Sequence, residues 1–268
     1  MTFFVGIAEY SVVAFGLLLL TVQFIAHRTG FFLGRRAKAR GATQMEGVGV
    51  VVGSMLALMA FVLALTLSFS STRFSERRAG ALAEANAIGT AWLRAKALGT
   101  PRAEAVATLL EQYARVRTDF VTTGIDKARS DALSQKTNAL QSAIWGHLAA
   151  IVRERPDPVS AALMAALNET FDMSTAERLA VETRLPPQLF WLLIMMTVLS
   201  TSSVGYQLGL RDRSHNVLVV LQLVMWTVVI VDILDLAAPR LGNFRTSVAP
   251  YEWTIQGFSG GVVIPPAP

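Results

Sequence analysis

The chain has 268 residues, of which 53% are hydrophobic and 16% charged, and it contains no cysteine. An average soluble domain carries about 25% charged residues, so this composition points away from one, and the missing cysteine excludes disulfides, thiolate catalysis and cysteine-based metal sites. The net charge of +5 reads as basic loops beside anionic lipid rather than as a nucleic-acid surface.

Four long apolar runs appear in chain order, at 3–26, 48–69, 189–210 and 217–238. Each is about 20 residues or longer, enough to cross a hydrocarbon core about 30 Å thick as a helix. None alternates with period 2, so the spanning structure is helical rather than a barrel. The first run has no Lys or Arg before it and its positive charges after it. That is the reverse of a secretory signal and predicts a retained first span with the N-terminus outside. It contains Glu9, Tyr10 and Gln23. Between spans 1 and 2, the loop 27–46 holds Arg28, Arg35, Arg36, Lys38 and Arg40 against Glu46.

Span 2 carries two distinct faces. Gly49, Gly53, Ala57, Ala60 and Ala64 form a small-residue stripe suited to close helix contact. Ser54, Leu58, Phe61, Leu65, Ser68 and Thr72 form the other. Around the axis of an oligomer, that second face would line a pore, with Leu58, Phe61 and Leu65 as an apolar constriction and Arg73, Arg77 and Arg78 at its mouth. Ordinary helix packing is the alternative for both faces.

The region 73–186 reads as a helical domain outside the membrane, with 15 basic and 13 acidic residues and abundant Ala. Gly80 is the first break signal after span 2. Gly99-Thr100-Pro101 is a stop and restart, with Thr100 as N-cap and Pro101 in the first turn. Val106, Leu109, Leu110, Tyr113 and Val116 then give one apolar face. Gly124 marks a further break. Leu133, Leu140, Ile144, Leu148 and Ile151 or Val152 give a second apolar face, ended by Pro156-Asp157-Pro158. Val159, Leu163, Leu167, Leu179 and Val181 belong to one or two more helices.

Span 3 is rich in hydroxyls, with Thr197, Ser200, Thr201, Ser202 and Ser203. These either line a water path or bond neighbouring helices. A tight connection, 211–216, leads to span 4. Near the end of that span, Asp232 and Asp235 stand i, i+3 on one helix face. A carboxylate deep in a bilayer costs about 2.5–3.5 kcal/mol on insertion scales, so it faces protein or water. Two readings stay open for this pair: an ion or proton site, or an interfacial pair that meets Arg240 or Arg245. Glu9 has the same two readings. The tail 241–268 ends in Gly and Pro, the composition of a mobile end.

The positive-inside rule places the two basic loops, 27–46 and 211–216, in the cytoplasm, with both termini and the region 73–186 outside. Arg73, Arg77 and Arg78 pull the other way. Enzyme signatures are missing: His27, His147 and His215 are scattered, without a metal-ligand spacing, and there is no phosphate-binding loop.

Ser68-Phe69-Ser70-Ser71-Thr72-Arg73-Phe74-Ser75-Glu76-Arg77-Arg78 is followed by Glu84-Ala85-Asn86-Ala87-Ile88-Gly89-Thr90-Ala91-Trp92-Leu93-Arg94. These two stretches closely resemble the bestrophin-like family of bacterial membrane proteins. Tyr113 to Arg117 is also similar to that family, as is the tail from Asp232 to Gly242, where the carboxylates are spaced more widely. The resemblance implies a distant likeness to bestrophins, which are pentameric chloride channels with four spans per subunit, a helical domain between spans 2 and 3, and a pore lined by span 2. Bestrophins keep that domain in the cytosol, opposite to what the charge rule gives here.

The reading is an all-α, four-span membrane protein with a helical extramembrane domain between spans 2 and 3. Its divisions are 1–72 (first hairpin), 73–186 (helical domain), 187–240 (second hairpin) and 241–268 (tail). The expected function is an oligomeric passive ion channel of the bacterial inner membrane, anion-selective and pentameric by the resemblance, with span 2 lining the pore. Its partners are other copies of itself, lipid and inorganic ions, with no cofactor, metal or nucleic acid. Glu84, Asn86, Ala87, Ala91 and Arg94 are expected at the subunit interface. The alternatives are a cation channel using Glu9, Asp232 and Asp235, and a non-conducting scaffold or sensor that binds a partner through its helical domain.

Overall fold

The computed structural model describes residues 11–41, 45–123, 126–183, 186–212, 215–238, 244–263 and 265, without the side chains of 45, 46 and 182. It is 89% helical, and no strand occurs among the described residues. The helices described are α1 (Val12–Ala39), α2 (Met45–Leu98), α3 (Pro101–Thr122), α4 (Lys127–Glu154), α5 (Pro158–Glu182), α6 (Pro187–Arg211), α7 (Asn216–Ala237) and α8 (Ala249–Ser259). Four of them, α1, α2, α6 and α7, are long and apolar enough to cross a membrane. They are spans 1 to 4, and the protein is the four-span all-α type expected.

The chain divides into two compact units. The first comprises Met1–Arg73 with Arg184–Phe244, and the second Phe74–Thr183 with Arg245–Pro268. The division falls inside α2, a single helix of 54 residues.

In the first unit, α1 begins at Ser11, whose hydroxyl caps the amide of Ala14. The helix does not stop at the end of its apolar run. It continues to Ala39, so most of the basic segment expected as a loop is helical. Arg and Lys are good helix formers, no Pro interrupts, and Arg36 and Lys38 suit the negative end of the helix dipole. Spans 1 and 3 pack through glycine. A Cβ added at Gly30 would lie 2.0 Å from the Ser202 carbonyl oxygen, and one at Gly34 would lie 2.2 Å from that of Tyr206. Reciprocally, Gly205 lies against the His27 carbonyl and Gly209 against that of Phe31. The numbers rise together, so the two spans run in the same direction. Their ends are linked by Arg35 Nε to Asp212 Oδ1 at 3.2 Å, an exposed pair that contributes little by itself. Phe15, Leu19, Met59, Leu63, Phe190, Leu193, Ile230 and Ile233 form an apolar core among all four spans.

In the second unit, α2 passes through Gly80 without a break. Gly80 instead permits close approach, since a Cβ there would meet Glu177 Oε2 at 2.8 Å. The helix stops at Gly99, whose φ of +64° suits glycine. Thr100 then caps α3 through Ala103 N, with Pro101 in the first turn, as the spacing predicts. Asp157 and Ser160 form a reciprocal capping box that opens α5. The predicted apolar faces point inward at Val106, Leu110, Tyr113 and Val116, and at Leu140, Ile144, Leu148 and Ile151. On α5, Leu163 and Leu167 are buried, whereas Leu179 is exposed. The segment 241–268 is not merely a tail: it contains α8, whose Tyr251 is fully buried in the second unit and whose Phe258 ring lies 5.0 Å from that of Trp92.

Candidate functional site

Span 2 is the span least covered by its own chain: 17% of its apolar window is buried, against 33% for span 3. One face, Val52, Met59, Leu63, Thr66 and Ser70, turns inward. Ser54, Leu58, Phe61, Leu65 and Ser68 are all exposed, with Phe61 at 60%. The small-residue stripe is also open: Gly53, Ala57, Ala60 and Ala64 are exposed, and Gly49 is half-buried. The close glycine contact inside the chain is made by spans 1 and 3 instead. Beside it, a groove of about 480 Å³ runs along Gly30, Leu33, Val48, Val51, Ser203 and Tyr206.

The three arginines after span 2 do not share one environment. Arg73 is exposed, with its guanidinium 5.2 Å from the Phe69 ring, and Arg78 is exposed beside Phe74. Arg77 is buried, at 3% exposure. The carboxylates separate likewise. Both lie on the continuous helix α7 at i, i+3, but Asp235 is buried and Asp232 exposed, so the two do not share one environment. Spacing alone missed this because span 4 turns Ile230, Ile233 and Ala237 inward, and Asp235 falls within that stripe while Asp232 falls beside it. Glu9 lies outside the described residues.

A polar cluster lies within the four-span unit. Gln23, His27, Thr197, Ser200, Thr201 and Thr227 are all buried. Gln23 Nε2 donates to Thr227 Oγ1 at 3.1 Å, and the His27 ring bonds the Thr201 backbone. Thr197 and Thr201 donate to carbonyls of their own helix. Gln23 Oε1, His27 Nδ1 and Ser200 Oγ have no hydrogen-bond partner among the described residues.

The second unit encloses a cluster of charge. Glu84 on α2 and Arg117 on α3 form a buried two-pronged pair, Nε to Oε1 at 2.5 Å and Nη2 to Oε2 at 3.1 Å. Tyr251 on α8 donates to Glu84 Oε2, also at 2.5 Å, and Arg117 Nη2 reaches the Ser174 carbonyl on α5 at 3.4 Å. Gln141 on α4 donates to Tyr113 OH and to Ser174 Oγ. Burial opposes the Arg117 charge, but Glu84 outweighs it and holds the guanidinium above its ordinary value. Burial first, and Glu84 second, raise the Tyr113 and Tyr251 hydroxyls. Glu177 on α5 completes the cluster. It is 1% exposed, and neither carboxyl oxygen has a hydrogen-bond partner among the described residues. Burial, reinforced by Glu84, pushes its carboxyl up to about 7.

This geometry corrects the expected subunit interface. Glu84, Ala87 and Ala91 are 0%, 6% and 0% exposed within their own unit. Part of what covers this run is α8: Thr254 Oγ1 donates to the Ala85 carbonyl at 3.2 Å, and its methyl carbon lies against Gly89. Close approach is what the small residues allow, but the partner is the chain's own C-terminal helix. Asn86 and Arg94 stay exposed, and Arg94 Nη1 donates to the Ala162 carbonyl at 2.7 Å. Sequence reasoning missed Glu177 and Tyr251. Their only local signal is an acid and a phenol on otherwise inward-facing helical positions. No group of three or more potential metal-ligating His, Cys, Asp or Glu side chains occurs among the described residues.

No curated protein matches the chain, and no solved structure does. Residues 15–251 match the bestrophin-like domain, a stretch that takes in the spans, the charge cluster and Tyr251 of α8. The protein is a multi-pass membrane protein that belongs to the bestrophin-like family.

Proposed function

We propose that the protein is an oligomeric passive ion channel of the bacterial inner membrane, selective for anions such as chloride, in which span 2 from each subunit lines a common axis. The observation that carries this reading is the bare face of span 2. Ser54, Leu58, Phe61, Leu65 and Ser68 lie on one continuous side that the chain's own helices leave uncovered. A hydroxyl–apolar–hydroxyl sequence suits a wetted axis with a dewetting neck. The open stripe of Gly53, Ala57, Ala60 and Ala64 suits close contact with a neighbouring copy. Arg73 and Arg78 supply exposed positive charge past the end of the span. Membership of the bestrophin-like family supports the same reading, with five subunits by likeness to bestrophins. The basic ends of spans 1 and 3 face the cytoplasm on the charge rule.

The test is electrical: purified protein in a planar bilayer under a KCl gradient. The expected current reverses near the chloride equilibrium potential, and Phe61→Ala raises conductance by opening the neck. Reversal near the potassium potential would move selectivity to carboxylates, with Asp232 the first to neutralise because it is the exposed member of its pair. No current from folded, oligomeric protein would sink the channel reading and favour a scaffold.

A further inference from the structure

We propose that Glu177 is a proton-binding site of the second unit, at which the gain or loss of one proton switches the net charge of the buried cluster. Glu84 has two oxygens, and Arg117 and Tyr251 occupy both. Arg117 Nη2 also reaches the Ser174 carbonyl. Tyr113 OH and Ser174 Oγ are taken up by Gln141. Those donors are thus committed elsewhere, and although the Arg77 guanidinium lies among the charges near Glu177, neither Glu177 oxygen has a hydrogen-bond partner among the described residues, at 1% exposure. An ionised carboxylate buried without hydrogen bonds is costly and is relieved by neutralisation.

The proton is the neutraliser that fits. Gly80 brings the α2 backbone so close that even a methyl group there would lie 2.8 Å from Oε2. A hard divalent cation needs about six oxygen ligands, and this site offers two carboxylates, one already paired, facing two guanidinium groups. The charged and titratable groups around Glu177 are Arg77 and Glu84 on α2, Tyr113 and Arg117 on α3, and Tyr251 on α8. With Glu177 protonated, Arg77, Arg117 and Glu84 leave the cluster at one positive charge. With Glu177 ionised, the cluster is neutral. Burial together with the Glu84 charge pushes the Glu177 carboxyl from 4.5 up to about 7, so the two states exchange at ordinary cellular pH. Arg77, Gly80 and Glu84 belong to the same uninterrupted helix as span 2. Through that helix the proton would bias conduction, a step that rests on the channel reading.

The test uses the full-length protein in lipid nanodiscs, followed by infrared difference spectroscopy as pH is raised. The expected signal is a protonated-carboxyl stretch that disappears with a midpoint near 7 and is missing in Glu177→Gln. A carboxyl held up in the folded state binds its proton more tightly there than in the unfolded chain. The stability that Glu177 contributes is therefore greatest below 4.5, falls as pH rises to 7, and is level above. The expected fall is about 300-fold in the folding equilibrium constant for the native chain, and none of that fall remains in Glu177→Gln. If Glu177→Gln does not fold, Glu177→Leu removes the same band while keeping bulk. A midpoint near 4.5, or no band that depends on Glu177, overturns the proposal. The readouts separate the two readings. A titrating band without any current leaves the proton site standing and removes the channel. A current without the band does the reverse.

Discussion

Spans 1 and 3 meet backbone to backbone at Gly30, Gly34, Gly205 and Gly209, whereas the second unit packs Trp92, Leu110, Ile144 and Leu167 around a buried ion pair. The contrast follows from the solvent each unit is built for. Lipid tails are as apolar as Leu, so burying Leu against another helix gains little inside a bilayer, and close backbone approach supplies the attraction instead. In water, each Å² of apolar surface removed contributes about 25 cal/mol, so large side chains make the core. The same contrast holds for polar groups. Apart from His27 and from Asp235 near the end of span 4, the membrane unit buries neutral Gln, Thr and Ser among the described residues, several of them bonded to their own helix. The second unit can bury full charges because Glu84 has three donors.

The severest way to break this contrast is to put bulk where backbones touch. Gly30→Leu or Gly205→Leu is expected to separate spans 1 and 3 and abolish correct folding, read as loss of a monodisperse peak after detergent extraction. Gly53→Leu, at a position with nothing within 4 Å in the chain, should leave that subunit fold intact. Survival of Gly30→Leu would mean that the glycine contact is incidental. Glu84→Gln comes next. It strands Arg117 in the interior and should cost about 3–5 kcal/mol in denaturant unfolding, with Arg117→Met as its counterpart. A change below about 1 kcal/mol would mean that Tyr251 and Ser174 already satisfy the survivor.

Gly80→Ala sharpens the comparison, because its neighbour is a side-chain end rather than a backbone. The added methyl should cost about 1–3 kcal/mol, less at low pH, where Glu177 is neutral and can shift without stranding a charge. Equal loss at pH 5 and pH 8 would count against that account. The smallest effect belongs to the membrane hydrogen bond. Thr227→Val should cost about 0.6 kcal/mol, the average for polar pairs between spans, measured by unfolding in mixed micelles. A loss of several kcal/mol would make Gln23 and Thr227 a structural centre rather than a minor contact.

Much of the fold was legible because it follows from local rules. Apolar runs of spanning length, the Thr100 cap, the Asp157 turn and the inward stripes of α3 and α4 depend on residues within a few positions of each other. The candidate sites were less legible. The run from Glu84 to Ala91 was expected to meet another subunit, yet its surface is spent inside the chain, largely on α2's own unit. The signal that would have corrected this is Tyr251, which lies 167 positions from Glu84 and carries no motif of its own. Gly30 and Gly34 were overlooked for a different reason. They lie past the apolar run, in a segment taken for a loop, although their four-residue spacing matches that of Gly205 and Gly209.

By itself, the amino-acid order determined the class of the protein: four helices long and apolar enough to span, and an amphipathic set between the second and third. Hydropathy, periodicity and caps act over one or two helical turns, so they can be read along the chain. The tertiary structure decided which small residues touch, which arginine is buried, which of two aspartates turns inward, and that no hydrogen-bond donor among the described residues reaches Glu177. Each of these depends on what a distant helix places opposite, and a helix can record its own faces but not the identity of the face it meets.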